Sequence, residues 1–223
     1  MTHPFRLIVF DFDGTLVDSL RFIVTAFSRA FEDQGFSAPE PEAIRHIVGL
    51  RLETAAARLL TDSQDTETAQ RIAAAYRVAF QDMRARNLVD EPLFPGVRET
   101  LALLNRPEVC LGIATGKSRH GLVSSLERHD LSELFVTLQT ADDGRGKPHP
   151  EILHRAMSDV GAAPEETVVI GDTSYDMEMA VNAGVRALGV AWGYHGAEGL
   201  RASGAAQVVE SFPELPSSLA ALN

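Results

Sequence analysis

The first apolar run, Leu7-Ile8-Val9-Phe10, is short, unbroken and ends on a charge at Asp11. Such a run predicts a strand buried on both faces, as in a parallel sheet. After Ser19 the period changes. Phe22, Ile23, Ala26, Phe27, Ala30 and Phe31 recur at helical spacing, with Gly35 as a stop and Pro39 and Pro41 marking a connection. Further helices are expected over 42–48, 51–60 and 67–86, with polar turn material at 62–65. The last of these places Ile72, Tyr76, Ala79, Phe80 and Met83 on one face. Nothing between Ser19 and Asn87 reads as a strand, so this stretch of roughly seventy residues is expected to be an all-helical insertion.

Asn87 to Pro95, with Asp90, Glu91, Pro92 and Pro95, reads as a connection. From Gly96 short apolar runs alternate with helical patterns. Strands are expected at 109–114, 134–138, 167–170, 185–191 and 207–209. Helices are expected around Val97, Leu101 and Leu104, over 118–129, 150–160 and 175–183, and from Pro213 onward, with a short one between the last two strands. This alternation predicts a parallel sheet with helices on both faces. The chain is therefore expected to be an α/β core interrupted by a helical insertion right after its first strand. Val17–Ser19 and Asn87–Pro95 are the candidate hinges.

Four of the expected strand ends carry chemistry, and in open parallel sheets ligands bind beyond the carboxyl ends of the strands. At the first, Asp11 and Asp13 stand two apart, followed by Gly14, which permits a sharp turn. A strand-end carboxylate can act as a nucleophile, and a second can hold or deliver a proton. Two anions so close need a proton or a cation, and hard Mg2+ suits oxygen ligands. The competing reading is a plain Asp-Gly turn. At the second, Thr115 offers a hydroxyl and Gly116 an unobstructed backbone N–H, both suited to a phosphate oxygen. The bland alternative is a strand-to-helix turn with Ser118 as N-cap. Lys117, next to them, is expected at the surface or rim. Lys147 lies in Gly146-Lys147-Pro148-His149-Pro150, a stiff turn that can hold a lysine against an attacking carboxylate and a transferring phosphoryl group. Arg145 is expected at the rim and His149 in the loop. At the fourth, Gly171-Asp172-Thr173-Ser174-Tyr175-Asp176 brackets a turn with two acids that can hold a hard cation, or cap the next helix.

Composition narrows the partners. The 223 residues carry a net charge of -11, which disfavours nucleic acid or an anionic membrane surface. Cys110, the single cysteine, excludes an intrachain disulfide and is expected as a core thiol. Met1–Arg6 has no apolar signal-peptide core, and no segment has the length of a membrane span. A cytoplasmic location is expected.

The string Asp11-Phe12-Asp13-Gly14-Thr15-Leu16-Val17-Asp18-Ser19 resembles the first motif of the haloacid dehalogenase superfamily. Thr115, Lys147-Pro148-His149-Pro150 and Gly171-Asp172-x-x-x-Asp176 resemble its second, third and fourth motifs, in order and over nearly the whole chain. The resemblance implies a Rossmann-like parallel sheet core with an inserted all-helical cap domain, core at 1–17 and 92–223 and cap at 18–91. It implies a phosphatase in which Asp11 attacks phosphorus to give an aspartyl phosphate. Asp13 would protonate the leaving oxygen and then activate water. Mg2+ would be held by Asp11, the Asp13 carbonyl, Asp172 and Asp176. The substrate-binding candidates are Gly14, Thr115, Gly116 and Lys147, with Arg51 of Gly49-Leu50-Arg51 as a fork for a substrate carboxylate, a role set against the simpler reading of a helix-start arginine pointing at solvent. The small cap, Val17-Asp18-Ser19, Lys147-Pro148-His149-Pro150 and Trp192-Gly193-Tyr194 resemble the phosphoglycolate phosphatase group. Pyrophosphatase, sugar phosphatase and β-phosphoglucomutase share the same core. A dehalogenase is disfavoured because those members lack an acid at the position of Asp13. A silent binding module is disfavoured because Asp11, Asp13 and Lys147 are all present. The expected partner is a small phosphorylated metabolite, with neither nucleic acid nor membrane, and the chain is expected as a monomer or homodimer.

Overall fold

The structure, a computed structural model, describes residues 4–86 and 88–222. Six parallel strands form one sheet: β1 (Leu7–Phe10), β2 (Cys110–Ala114), β3 (Phe135–Gln139), β4 (Thr167–Gly171), β5 (Arg186–Val190) and β6 (Gln207–Val209), in the order β3-β2-β1-β4-β5-β6. β1 is central and every one of its residues is buried, as an uninterrupted apolar run requires in a sheet covered on both sides. Four helices sit between β1 and Gly96: α1 (Leu20–Asp33), α2 (Pro41–Arg45), α3 (Leu52–Leu59) and α4 (Thr66–Ala85). Six more alternate with the remaining strands: α5 (Val97–Leu104), α6 (Arg119–Arg128), α7 (Glu151–Val160), α8 (Ser174–Asn182), α9 (Ala197–Ala202) and α10 (Leu215–Ala221).

The period-two alternation of β1 divides the core. Ile8 and Phe10 join Val97, Leu101, Leu122 and Leu219 of α5, α6 and α10 on one face. Leu7 and Val9 join Ile152, Leu153, Met177 and Leu200 of α7, α8 and α9 on the other. Cys110 is half-buried and unpaired, at the margin of this second cluster. The cap helices have a core of their own, with Phe27, Phe31, Ile44, Ala56 and Ile72, into which Tyr175 and Tyr194 reach from the α/β core.

The second helix is shorter than the expected 42–48, because the chain turns out of helix after Arg45 and reaches Gly49 at φ +96°. The two connections between core and cap run side by side. Asp18 N–H donates to the Pro92 carbonyl at 2.9 Å, and Phe94 N–H donates to the Leu16 carbonyl at 3.0 Å. Val17 faces Leu93 in an antiparallel bridge. We propose this paired segment as the division between the core, 1–17 and 92–223, and the cap, 18–91, and as the hinge. Asn87, at the head of the second connection, lies outside the described residues.

Candidate active site

Strand register brings the first, second and fourth motifs together. Phe10 of β1 is level with Ile113 of β2 and Ile170 of β4, so Asp11, Thr115 and Asp172 emerge side by side at three adjacent carboxyl ends. This is also where the strand order reverses, the usual crevice for a ligand in an open α/β sheet. Asp11 is 1% exposed and Lys147 3%. The Lys147 ammonium lies 2.8 Å from Asp11 Oδ1 and 2.6 Å from Asp176 Oδ1, although Lys147 is contributed by the loop before α7.

Asp176 caps the next helix, one of its two expected readings, and leaves one oxygen toward the cluster. Its Oδ2 accepts from the Thr173 N–H at 3.1 Å and the Thr173 hydroxyl at 2.6 Å, closing the first turn of α8, while its other oxygen faces Lys147. Asp172 is fixed from two distant parts of the chain, the loop after β1 and the Gly193-Tyr194 segment. The Thr15 hydroxyl donates to its Oδ1 at 2.8 Å, and the Tyr194 N–H donates to its Oδ2 at 2.9 Å. Gly193 lies so close that an added Cβ would sit 2.1 Å from the Asp172 Cβ. Gly14, at φ +88°, has the same cause: its Cβ would fall 2.2 Å from Asp172 Oδ2. The Gly14 N–H donates to the Val17 carbonyl at 2.9 Å, so it serves the turn.

Asp11, Asp172 and Asp176 each offer an oxygen within 4.8 Å of the others, and all three are buried. Lys147 pairs with only two of the three carboxylates, Asp11 and Asp176, and Asp11 Oδ2 is buried with no hydrogen-bond partner among the described residues. This donor set fits a hard divalent cation. The Asp13 side chain is not part of the cluster, so only its backbone carbonyl is left for the expected contribution. In the metal-free chain, burial pushes Asp11 up from 3.8 to about 7, with Lys147 pulling down and Asp176 adding to the rise. Burial, then Asp11 and Asp176, holds Asp172 well above the carboxylate range. The folded chain thus keeps protons that the unfolded chain has lost above about pH 4, so metal-free stability falls as pH rises from there through about 7. A divalent cation bound there would replace those protons. The gain in thermal stability on adding one should therefore be larger at about pH 8 than at about pH 5. A gain that does not grow with pH would remove these carboxylates from the metal site.

Above Asp11, Asp13, Thr115 and Gly116 is a cavity of about 220 Å3, roofed by Ile23, Phe27, Leu50, Tyr76 and Phe80 of the cap. The cap rests directly on the core. A Cβ at Gly116 would lie 2.6 Å from the Leu50 carbonyl oxygen and 2.7 Å from that of Gly49. Arg51 lines the cavity, donates from Nη1 to the Gly144 carbonyl at 3.2 Å and lays its aliphatic stem on Gly146. Arg51 is therefore half-buried at the wall of the cavity, tied to the core loop and not extended freely into solvent.

Lys117 corrects its expected place at the rim. Its side chain is 10% exposed, and its ammonium lies 2.9 Å from both Asp13 Oδ1 and Glu91 Oε1. Glu91, 1% exposed, read in the sequence only as part of a Pro-flanked connection. Thr15, Lys117, Glu91, Gly193 and Tyr194 are thus site residues whose roles sequence reasoning missed. Only the proximity of Thr15 and Lys117 to the motifs, and the Trp-Gly-Tyr signature, pointed toward them. His149 is a loop residue as expected, its Nδ1 accepting the Glu151 N–H at 3.2 Å.

Residues 8–190 match the family model of the haloacid dehalogenase-like hydrolases, and the chain belongs to that family. It is 38% identical over 219 residues to the "Probable phosphatase IndB" of Dickeya dadantii, covering 97% of this chain and 94% of the relative. It is 30% identical to a phosphoglycolate phosphatase of Vibrio parahaemolyticus, covering 94% of each. A haloacid dehalogenase-like family hydrolase from Streptococcus pneumoniae superposes with a TM-score of 0.82 at 27% identity, over 96% of this chain and 98% of that one. The chain is an enzyme of the phosphatase kind within this family. No helix among the described residues is long and apolar enough to cross a membrane.

Proposed function

We propose that the chain is a Mg2+-dependent phosphatase that hydrolyses a small phosphate monoester through an aspartyl phosphate on Asp11. The observation that carries this reading is the buried Asp11, held 2.8 Å from Lys147 at a strand end and backed by two further carboxylates. Lys147 orients Asp11 and offsets the repulsion between an anionic nucleophile and an anionic ester. Thr115 and the Gly116 N–H hold phosphoryl oxygens, with Gly14 keeping the loop beneath them closely turned. Asp13 protonates the leaving oxygen, then takes a proton from the water that releases phosphate. Asp11, the Asp13 carbonyl, Asp172 and Asp176 would hold the Mg2+, whose charge neutralises the phosphoryl oxygens. The cap shields Asp11 from bulk water while the ester transfers its phosphoryl group, and admits the water that hydrolyses the aspartyl phosphate. The test is phosphate release from a panel of small phosphorylated metabolites, with Mg2+ and with chelator. Full activity in chelator would contradict the metal site.

For the leaving group we propose a small anion of the 2-phosphoglycolate type. The compact cavity, the guanidinium at its wall and the phosphoglycolate phosphatase relative support this. Arg51→Ala should lower kcat/KM for 2-phosphoglycolate roughly 10- to 100-fold, the size of one charge-assisted bond, while p-nitrophenyl phosphate, which has no carboxylate, is nearly unaffected. Equal losses on both would make Arg51 a latch to the Gly144 carbonyl. A panel topped by nucleotides would overturn the small-anion reading.

A further inference from the structure

Lys117 is buried between two acids that belong to different parts of the fold. Asp13 is on the loop after β1, and Glu91 is on the second connection between cap and core. Glu91 is itself fixed from several directions. The Ser125 hydroxyl donates to its Oε2 at 2.7 Å, Arg84 Nη2 of the cap helix α4 lies 3.5 Å away, and Arg128 Nη1 of α6 lies at 3.8 Å. Its backbone carbonyl accepts from His129 Nε2 at 2.8 Å. The Phe12 and Phe80 rings flank the Lys117 ammonium, with centroids 5.6 and 5.5 Å away. Burial alone would push the Glu91 carboxyl up, but Lys117, Ser125 and Arg84 outweigh it and hold it below the usual range. Burial would likewise lower Lys117, but Asp13 and Glu91 hold it above its usual value. Both groups are therefore charged.

A buried ion network of this kind is a poor source of net stability, because desolvation offsets the attraction. What it does provide is fixed direction. A lone Asp13 carboxylate could rotate about its side-chain torsions, and it lies on the cavity floor where a leaving group would sit. Lys117 restrains one of its oxygens, and Glu91 keeps Lys117 from following the substrate phosphate. We propose that Lys117, braced by Glu91, is a positioning residue that keeps Asp13 aimed at the leaving-group oxygen. This rests on the reading of Asp13 as proton donor. The Lys117 ammonium pairs with Asp13 and Glu91, whereas Lys147 pairs with Asp11 and Asp176. The one tie from Lys117 to a phosphate-holding group, its backbone N–H to Thr115 Oγ1 at 3.2 Å, survives a side-chain replacement, so the Lys117 side chain acts on proton delivery.

The test separates leaving groups by their need for a proton. p-Nitrophenolate departs with little help, whereas an alkoxide must be protonated. Rapid mixing would follow the first release of p-nitrophenol and, separately, single-turnover release of alcohol from a simple alkyl phosphate. In Lys117→Met, alcohol release should fall about 10²-fold, at the lower end of a general-acid effect, while the first release of p-nitrophenol falls less than about fivefold. Glu91→Gln keeps the hydrogen-bonding shape but weakens the brace. It should show the same split at about tenfold, and it carries the test if Lys117→Met does not fold. Equal losses on the two esters, or a loss confined to KM, would overturn the proposal. The phosphatase reading fails differently: wild-type protein would then release neither product in a first turnover.

Discussion

Asp11→Asn should reduce turnover at least about 10⁴-fold on every phosphate ester, the scale on which enzymes lose activity when their nucleophile is removed. The amide keeps the size and shape of the carboxylate but cannot form the acyl phosphate. The structure also sets the expected stability. Lys147 keeps its partner Asp176 at 2.6 Å, and one of three crowded buried carboxylates becomes neutral. Because burial already pushes Asp11 up to about 7, ionising it is costly in the folded chain, and an amide there avoids that cost. In chelator at neutral pH the variant should therefore melt no lower than wild type. An inactive variant that is also unfolded would say nothing about the nucleophile. An active, folded one would end the covalent mechanism.

Asp13→Ala should lower kcat about 10²- to 10⁴-fold, the usual contribution of a general acid and base. The fold should survive, since Lys117 retains Glu91 at 2.9 Å and no buried ammonium is left without a partner. With p-nitrophenyl phosphate the two half-reactions should come apart. The first release of p-nitrophenol needs little protonation and should persist as a burst, while the second step, which needs Asp13 to take a proton from water, should become slow. An effect below tenfold on an alkyl ester, with no burst on the aryl one, would reduce Asp13 to a residue of the metal loop.

Most of this site is legible in the sequence because a doubly covered parallel strand must be apolar throughout and must turn polar at its end. Leu7–Phe10 running into Asp11 and Thr167–Gly171 running into Asp172 show that transition directly. The helical insertion is legible because its apolar residues repeat at helical spacing. The sheet order is not, since pairing β1 with both β2 and β4 depends on long-range packing that no local pattern carries. Lys117 illustrates the limit most clearly. A lysine in a polar turn defaults to solvent, and its burial depends on Glu91, twenty-six positions away along the chain in a segment rich in linker residues. Trp192-Gly193-Tyr194 was legible only as a signature. The structure gives the physical reason for its glycine and tyrosine: Gly193 makes room for Asp172, the Tyr194 N–H holds it, and the Tyr194 hydroxyl meets the Ser19 N–H at 3.0 Å at the first connection between core and cap.

The central claim is a covalent phosphate on Asp11. The direct measurement is rapid acid quenching of wild-type protein mixed with a radiolabelled ester and Mg2+, followed by borohydride reduction and peptide mapping. The account predicts label that stays with the protein on denaturation and is released by hydroxylamine, and reduction that expels the labelled phosphate and leaves homoserine at residue 11 and at no other. Rapid phosphate release with no protein-bound label at any quench time, or label mapping to a residue other than Asp11, would contradict it.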